Sequence, residues 1–169
     1  MLDFTVILPH SLGYGLIYGF LLAGLILGSL WYNAEMWHQD YPEAIKAKVG
    51  PISEKAKRQR AWFALLFFPL TFGFPLLVVW RLSLIVGDVG FAAAFLMVFI
   101  LFFLFNLIDL LVVDWLIAVY LRPSFLILPG IEGMAEYHDY GYHFRAFLIG
   151  LIFCLVSGVV IGGIGSRIW

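Results

Sequence analysis

The chain has little of what a soluble protein needs to hold itself in water. Charged residues make up 12% of its 169 positions, against 63% hydrophobic ones, and the mean hydropathy is +1.00. A typical soluble domain carries about 25% charged residues. A chain of this size leaves much of its surface exposed, so water could not accommodate this composition, whereas lipid can. Length allows one domain, spanning 1–169.

Other absences narrow the reading further. There is one cysteine, Cys154, inside an apolar run, so no intramolecular disulfide can form. The ten Lys and Arg leave long stretches without a base, and no basic face with groove-reading residues is built, so no nucleic-acid partner is expected. His10, His38, His138 and His143 all lie at or beyond the ends of the apolar runs, which removes the buried axial ligand that a transmembrane haem requires. No Ser/Cys–His–Asp pattern and no strand followed by a phosphate-cradling glycine loop stands out. The start, Met1-Leu2-Asp3, lacks bases, and the first apolar run is too long for a signal-peptide core, so it is expected to be retained as a span.

What is present is four long apolar runs. They fall at about 12–32, 61–80, 91–112 and 146–164, each near the ~20 residues that cross a ~30 Å hydrocarbon core. The expectation is an all-α polytopic membrane protein: a four-transmembrane-helix bundle with a kinked second helix and interfacial cytoplasmic segments. The kink is expected at Pro69 and Pro75, because each proline removes a backbone donor and the freed carbonyls must find partners inside the bundle. The third apolar run continues to Tyr120, as a tilted continuation or as turns projecting past the interface.

The first and fourth runs are rich in small residues. Gly15 and Gly19 form one small-xxx-small pair and Gly24 and Gly28 another, while Gly150, Gly158, Gly162 and Gly165 mark the fourth run. Such spacing lets backbones approach closely in lipid, so these thin helices are expected to pack closely while the Phe-rich ones fill the core and face lipid. Between the first two runs, Asp40-Tyr41-Pro42 predicts a short helix start, Gly50-Pro51 its stop, and Ser53 the cap of a helix leading into the second span. Between the third and fourth, Ser124–Leu128 is too short to cross, and Pro129-Gly130 breaks it. The rings of 137–144 suit the headgroup level.

Eight bases (46, 48, 55, 57, 58, 60, 122 and 145) fall in these two polar segments, and two (81 and 167) on the other side. The positive-inside rule then puts both polar loops in the cytoplasm and both termini outside, with a bacterial inner (cell) membrane as the expected location. Lys55, Lys57, Arg58 and Arg60 act first as topology determinants and also attract anionic lipid headgroups. The expected partners are the bilayer and another membrane protein or subunit.

Chemistry has few carriers. Asn106, Asp109 and Asp114 lie on the third run, within an arc of about 140° on an α-helix, so all three can face the interior. Asp109 and Asp114 are the candidate catalytic residues, since carboxylates at membrane depth mark function or pair with a base such as Arg122 or Arg145. Glu35-x-x-His38 has the i,i+3 spacing of a di-iron half-motif. Glu132, Glu136, Asp139 and His143 would form one stripe if that stretch were helical. Glu35, His38, Glu132, Glu136, His138 and His143 are therefore candidate metal ligands at one membrane face, against the reading that they are the polar side of interfacial segments.

Three functions fit. The first is a non-catalytic accessory or scaffold component of a membrane assembly, favoured by small size and the glycine faces. The second is a membrane-embedded, metal-dependent or metal-free enzyme acting on a lipid or other apolar substrate at the cytoplasmic interface. The third is a small transporter or channel, for which a charge at mid-membrane is lacking. The discriminating feature is whether Asp109 and Asp114 open into a cavity shared with His138 or His143, or pair with Arg122 or Arg145 in a closed bundle.

Overall fold

Four helices long and apolar enough to cross a membrane make up most of the computed structural model, which describes residues 3–169. Helix accounts for 86% of it, with no strand among the described residues. Met1 and Leu2, part of the stretch read above for signal character, lie outside that range.

Helix α1 (Phe4–Asn33) starts at Asp3, whose carboxylate accepts from the Thr5 amide at 3.0 Å. A 3₁₀ segment, Ala34–Asp40, follows and leads through Tyr41-Pro42 into α2 (Glu43–Val49). Gly50 ends α2 at φ 83°, a conformation that costs a residue without a Cβ little. Ser53 then caps α3 (Glu54–Val86) by accepting from the Ala56 amide. The short helix, its glycine–proline stop and the serine cap follow the sequence reading.

Helix α4 (Phe91–Ile108) does not stop where a single span would. It continues through Asp109–Leu121 as a π-helix, whose hydrogen bonds run i→i+5. Arg122 closes this stretch in the left-handed conformation (φ 43°), its amide donating to the Ile117 carbonyl at 2.8 Å. The chain then runs through two 3₁₀ turns, Ser124–Leu126 and Ala135–His138, before α5 (Tyr140–Ile168). Glu132 to His143 is therefore not one helix. Gly133 sits at φ 83° within it, so the four-residue stripe drawn from its spacing does not form.

The thin helices pack closely, as expected above, though not chiefly on each other. Each packs on α4, which is the centre of the bundle. A Cβ on Gly15 would lie 2.6 Å from Leu104 Cδ1, and one on Gly162 would lie 2.8 Å from the Phe95 Cα. The reason is complementary bulk: Phe95, Leu104 and Phe105 of α4 each stand against a glycine of α1 or α5. The Gly24–Gly28 pair, by contrast, has open space within 4 Å of both positions.

Two apolar clusters divide the interior. One holds Tyr18, Leu22, Val78, Leu82, Met97 and Leu101 at mid-bundle. The other gathers Ile26 and Leu30 of α1, Ile45 of α2, Val113 of the π stretch, and Leu126 and Leu128 of the 122–139 strap. That second cluster folds the strap back across one end of the bundle.

Candidate functional site

At that end the helices do not close. A cavity of about 220 Å³ opens among the C-terminal part of α1, the 3₁₀ segment after it, the π stretch, the strap and the start of α5. Asp40, Asp109, Asp114, Glu136 and His143 line it, with the rings of Trp37, Tyr41, Tyr137 and Tyr142. No Lys or Arg is among the lining residues.

The π-helix decides how the two candidate carboxylates stand. In an α-helix, residues five apart point ~140° away from each other. With i→i+5 bonding they fall about one turn apart on the same side. Asp109 and Asp114 thus both reach the cavity. Asn106, one turn earlier and still in α4, turns toward α5 and donates from Nδ2 to the Phe147 carbonyl at 3.0 Å. It fills the space that Gly150 leaves open.

Asp114 and His143 meet across the π stretch and α5, Oδ1 to Nδ1 at 3.0 Å, with both side chains about four-fifths buried. Trp115 holds the same two elements together by donating to the Tyr140 carbonyl at 3.3 Å. Neither Asp109 nor Asp114 pairs with Arg122 or Arg145. The Arg122 guanidinium contacts His138, and Arg145 sits 3.6 Å from Asp139.

The cavity wall is fastened by phenols. Tyr41 donates to the Leu126 carbonyl at 2.8 Å, Tyr142 donates to the Tyr41 carbonyl at 3.2 Å, and Tyr137 accepts from the Leu128 amide at 3.2 Å. Burial pushes the Tyr41 phenol well above the usual tyrosine range, so it remains a donor at any physiological pH. The first bond ties the strap to the first polar segment, the second ties α5 to that segment, and the third closes the strap on itself.

The remaining sequence candidates are drawn into local structure. Glu35 accepts from both the amide and the hydroxyl of Ser53, at 2.6 and 2.8 Å, and His38 Nε2 lies 2.8 Å from the Gly50 carbonyl. Glu35-x-x-His38 thus fixes the turn between α2 and α3. Glu132 accepts from the Gly130 amide at 3.1 Å, closing its own turn. Of the six candidate metal ligands, only Glu136 and His143 line the cavity. Among the described residues, no group of three His, Cys, Asp or Glu side chains is placed to hold a metal ion.

Asp40 and Tyr41 are the residues that sequence reasoning passed over as binding groups. Their signal is a carboxylate and a phenol immediately before a turn proline, where a span ends. Read locally, those three residues mark only a helix start. Comparison with known protein families, with curated proteins and with solved structures finds no match for this chain.

Proposed function

We propose that this protein is a membrane-embedded enzyme acting at the cytoplasmic interface on an amphipathic substrate, whose polar end enters the acidic cavity. One observation carries the reading: Asp109 and Asp114 share that cavity with His143, and Asp114 is bonded to the imidazole. A carboxylate on Nδ1 fixes ring orientation and tautomer and leaves Nε2 to take or give a proton, the arrangement a general base or acid requires. Asp109 supplies a second carboxylate to stabilise positive charge in the reacting group. The apolar residues Ile26, Leu30 and Val113 in the same lining suit a hydrocarbon chain.

The reading includes a topology. The eight-to-two division of bases supports a bacterial inner membrane location with both polar loops, and so the cavity, on the cytoplasmic side. It also includes a bend of α3 at Pro69 and Pro75, which would widen the lateral space between α1 and α3.

The test is direct. Purified protein incubated with a bacterial total lipid extract should change the lipid profile seen by mass spectrometry, and Asp114→Asn and His143→Gln should abolish the change. Identical profiles for wild type and both variants would remove the enzymatic reading.

An accessory role is the second reading, supported by a different face. Gly24 and Gly28 line an open groove of about 510 Å³ with Tyr32, Trp62 and Leu66, between α1 and α3. A small-residue face left uncovered by its own bundle is a seat for a helix of another subunit. Leucine at both glycines would then block assembly without altering lipid chemistry.

A further inference from the structure

We infer that the group the cavity recognises is a protonated or quaternary amine, carried by a lipid headgroup or by a soluble amine. The inference rests on the reading that this cavity is the working site. It names the chemistry of what enters.

Charge is the first argument. Four carboxylates, Asp40, Asp109, Asp114 and Glu136, come from three separate parts of the chain to one cavity of about 220 Å³. Two have internal partners: Asp114 holds His143 at 3.0 Å, and Asp40 accepts from Gln39 at 2.9 Å. Asp109 has no hydrogen-bond partner among the described residues, and it stands half-buried in the cavity wall. Carboxylates gathered away from bulk water repel one another and lose hydration, so a site without a cation is costly to hold ionised. Bases are close enough to have served. Lys46, however, is 2.6 Å from Glu43, and Arg60 donates to the Gln39 side chain, both outside the lining. No Lys or Arg of the protein thus enters the lining itself.

The rings are the second argument. Trp37, Tyr41, Tyr137 and Tyr142 line the same cavity as the acids, and Tyr41 meets Tyr137 edge to face with centroids 6.1 Å apart. Aromatic faces attract ammonium groups and accept the methyl groups of quaternary ones, whereas a bare metal ion prefers a close oxygen or nitrogen shell. The absence of a metal-spaced set among the described residues agrees with a larger, softer cation. An anionic headgroup would meet four carboxyl groups and no Lys or Arg, which disfavours fatty acids and phosphate monoesters.

The experiment uses the full chain in nanodiscs of phosphatidylglycerol, a lipid that carries no amine. Two photoreactive probes of equal chain length, one ending in a primary amine and one in a carboxylate, are cross-linked, and labelled peptides are located by mass spectrometry. The amine probe should label 37–42 or 140–146 about tenfold more strongly than the carboxylate probe, the discrimination that one charge contact supplies. Excess octadecylamine should remove that labelling. Asp109→Asn and Glu136→Gln should weaken it while leaving thermal melting close to wild type.

Competition separates the two sources. If octadecylamine competes and ethanolamine does not, the amine belongs to a membrane amphiphile. If ethanolamine competes equally, it belongs to a soluble amine, and the amine site stands in either case. Equal labelling of the cavity by both probes in the wild-type protein, or amine labelling confined to other peptides, overturns the inference without recourse to any variant. Cavity labelling without lipid conversion would remove the enzymatic reading alone. Lipid conversion with no cavity labelling by the amine would remove this inference alone.

Discussion

Tyr18 of α1 donates its phenol to the backbone carbonyl of Thr71 in α3, at 3.0 Å. Thr71 lies four residues before Pro75, so its carbonyl is the one that the missing proline amide leaves free. Tyr18 is fully buried and stacks on Phe74, centroids 5.4 Å apart. A proline within a helix in lipid frees a carbonyl that a neighbour has to satisfy, and here a single phenol does so.

That relationship predicts a coupled pair of substitutions. Tyr18→Phe leaves a carbonyl without a partner and should cost about 1–3 kcal/mol. In a Pro75→Ala background the helix regains its own amide donor, and Tyr18→Phe should then cost less than half as much. Thermal melting of the four proteins in detergent reads the cycle. Additive losses would mean that the phenol does nothing for the carbonyl that Pro75 leaves free.

The glycine contacts predict an ordering by position. Gly162→Leu must displace the Phe95 backbone, and Gly158→Leu meets the Phe95 ring at 3.0 Å, so each should cost about 1–3 kcal/mol. Gly24→Leu points into open space and should stay within about 0.5 kcal/mol of wild type, as a surface change does. Phe99→Leu should fall between them. A Gly24→Leu melt as low as that of Gly162→Leu would contradict this packing.

Orientation is open to thiol labelling. Ala47 and Ala135 are exposed in the two polar segments, Asp88 is exposed between α3 and α4, and the native Cys154 is buried. Cysteine at Ala47 or Ala135 should resist an impermeant reagent in intact cells and react after lysis, while Asp88→Cys reacts in both. Labelling of Ala47→Cys in intact cells would invert the topology.

The strap over the cavity hangs on Tyr41. Tyr41→Phe removes the bond to the Leu126 carbonyl and should cost about 0.5–1.5 kcal/mol. Its sharper signature is local: limited proteolysis within 122–139 should quicken several-fold while the membrane helices stay intact. Unchanged cleavage would show that the apolar seat of Leu126 and Leu128 holds the strap without the phenol.

Much of the architecture is legible in the residues themselves. Four apolar runs of bilayer length, the glycine–proline stop at 50–51 and the Ser53 cap all act locally, through burial, fixed φ or a single hydrogen bond, so short windows reveal them. The sequence also singled out Asp109, Asp114 and His143, because a charge near a span is conspicuous against hydrocarbon. Only the tertiary structure decided what they meet. The run 109–121 is uniformly apolar apart from its two aspartates, and α and π bonding bury such a run equally well, so composition carries no trace of the shift that puts both on one side. Likewise, Gly24–Gly28 and Gly15–Gly19 have identical spacing, yet only the second faces a helix. Spacing makes close approach possible, and the direction in which the neighbouring helices leave the bundle determines which glycine pair is used.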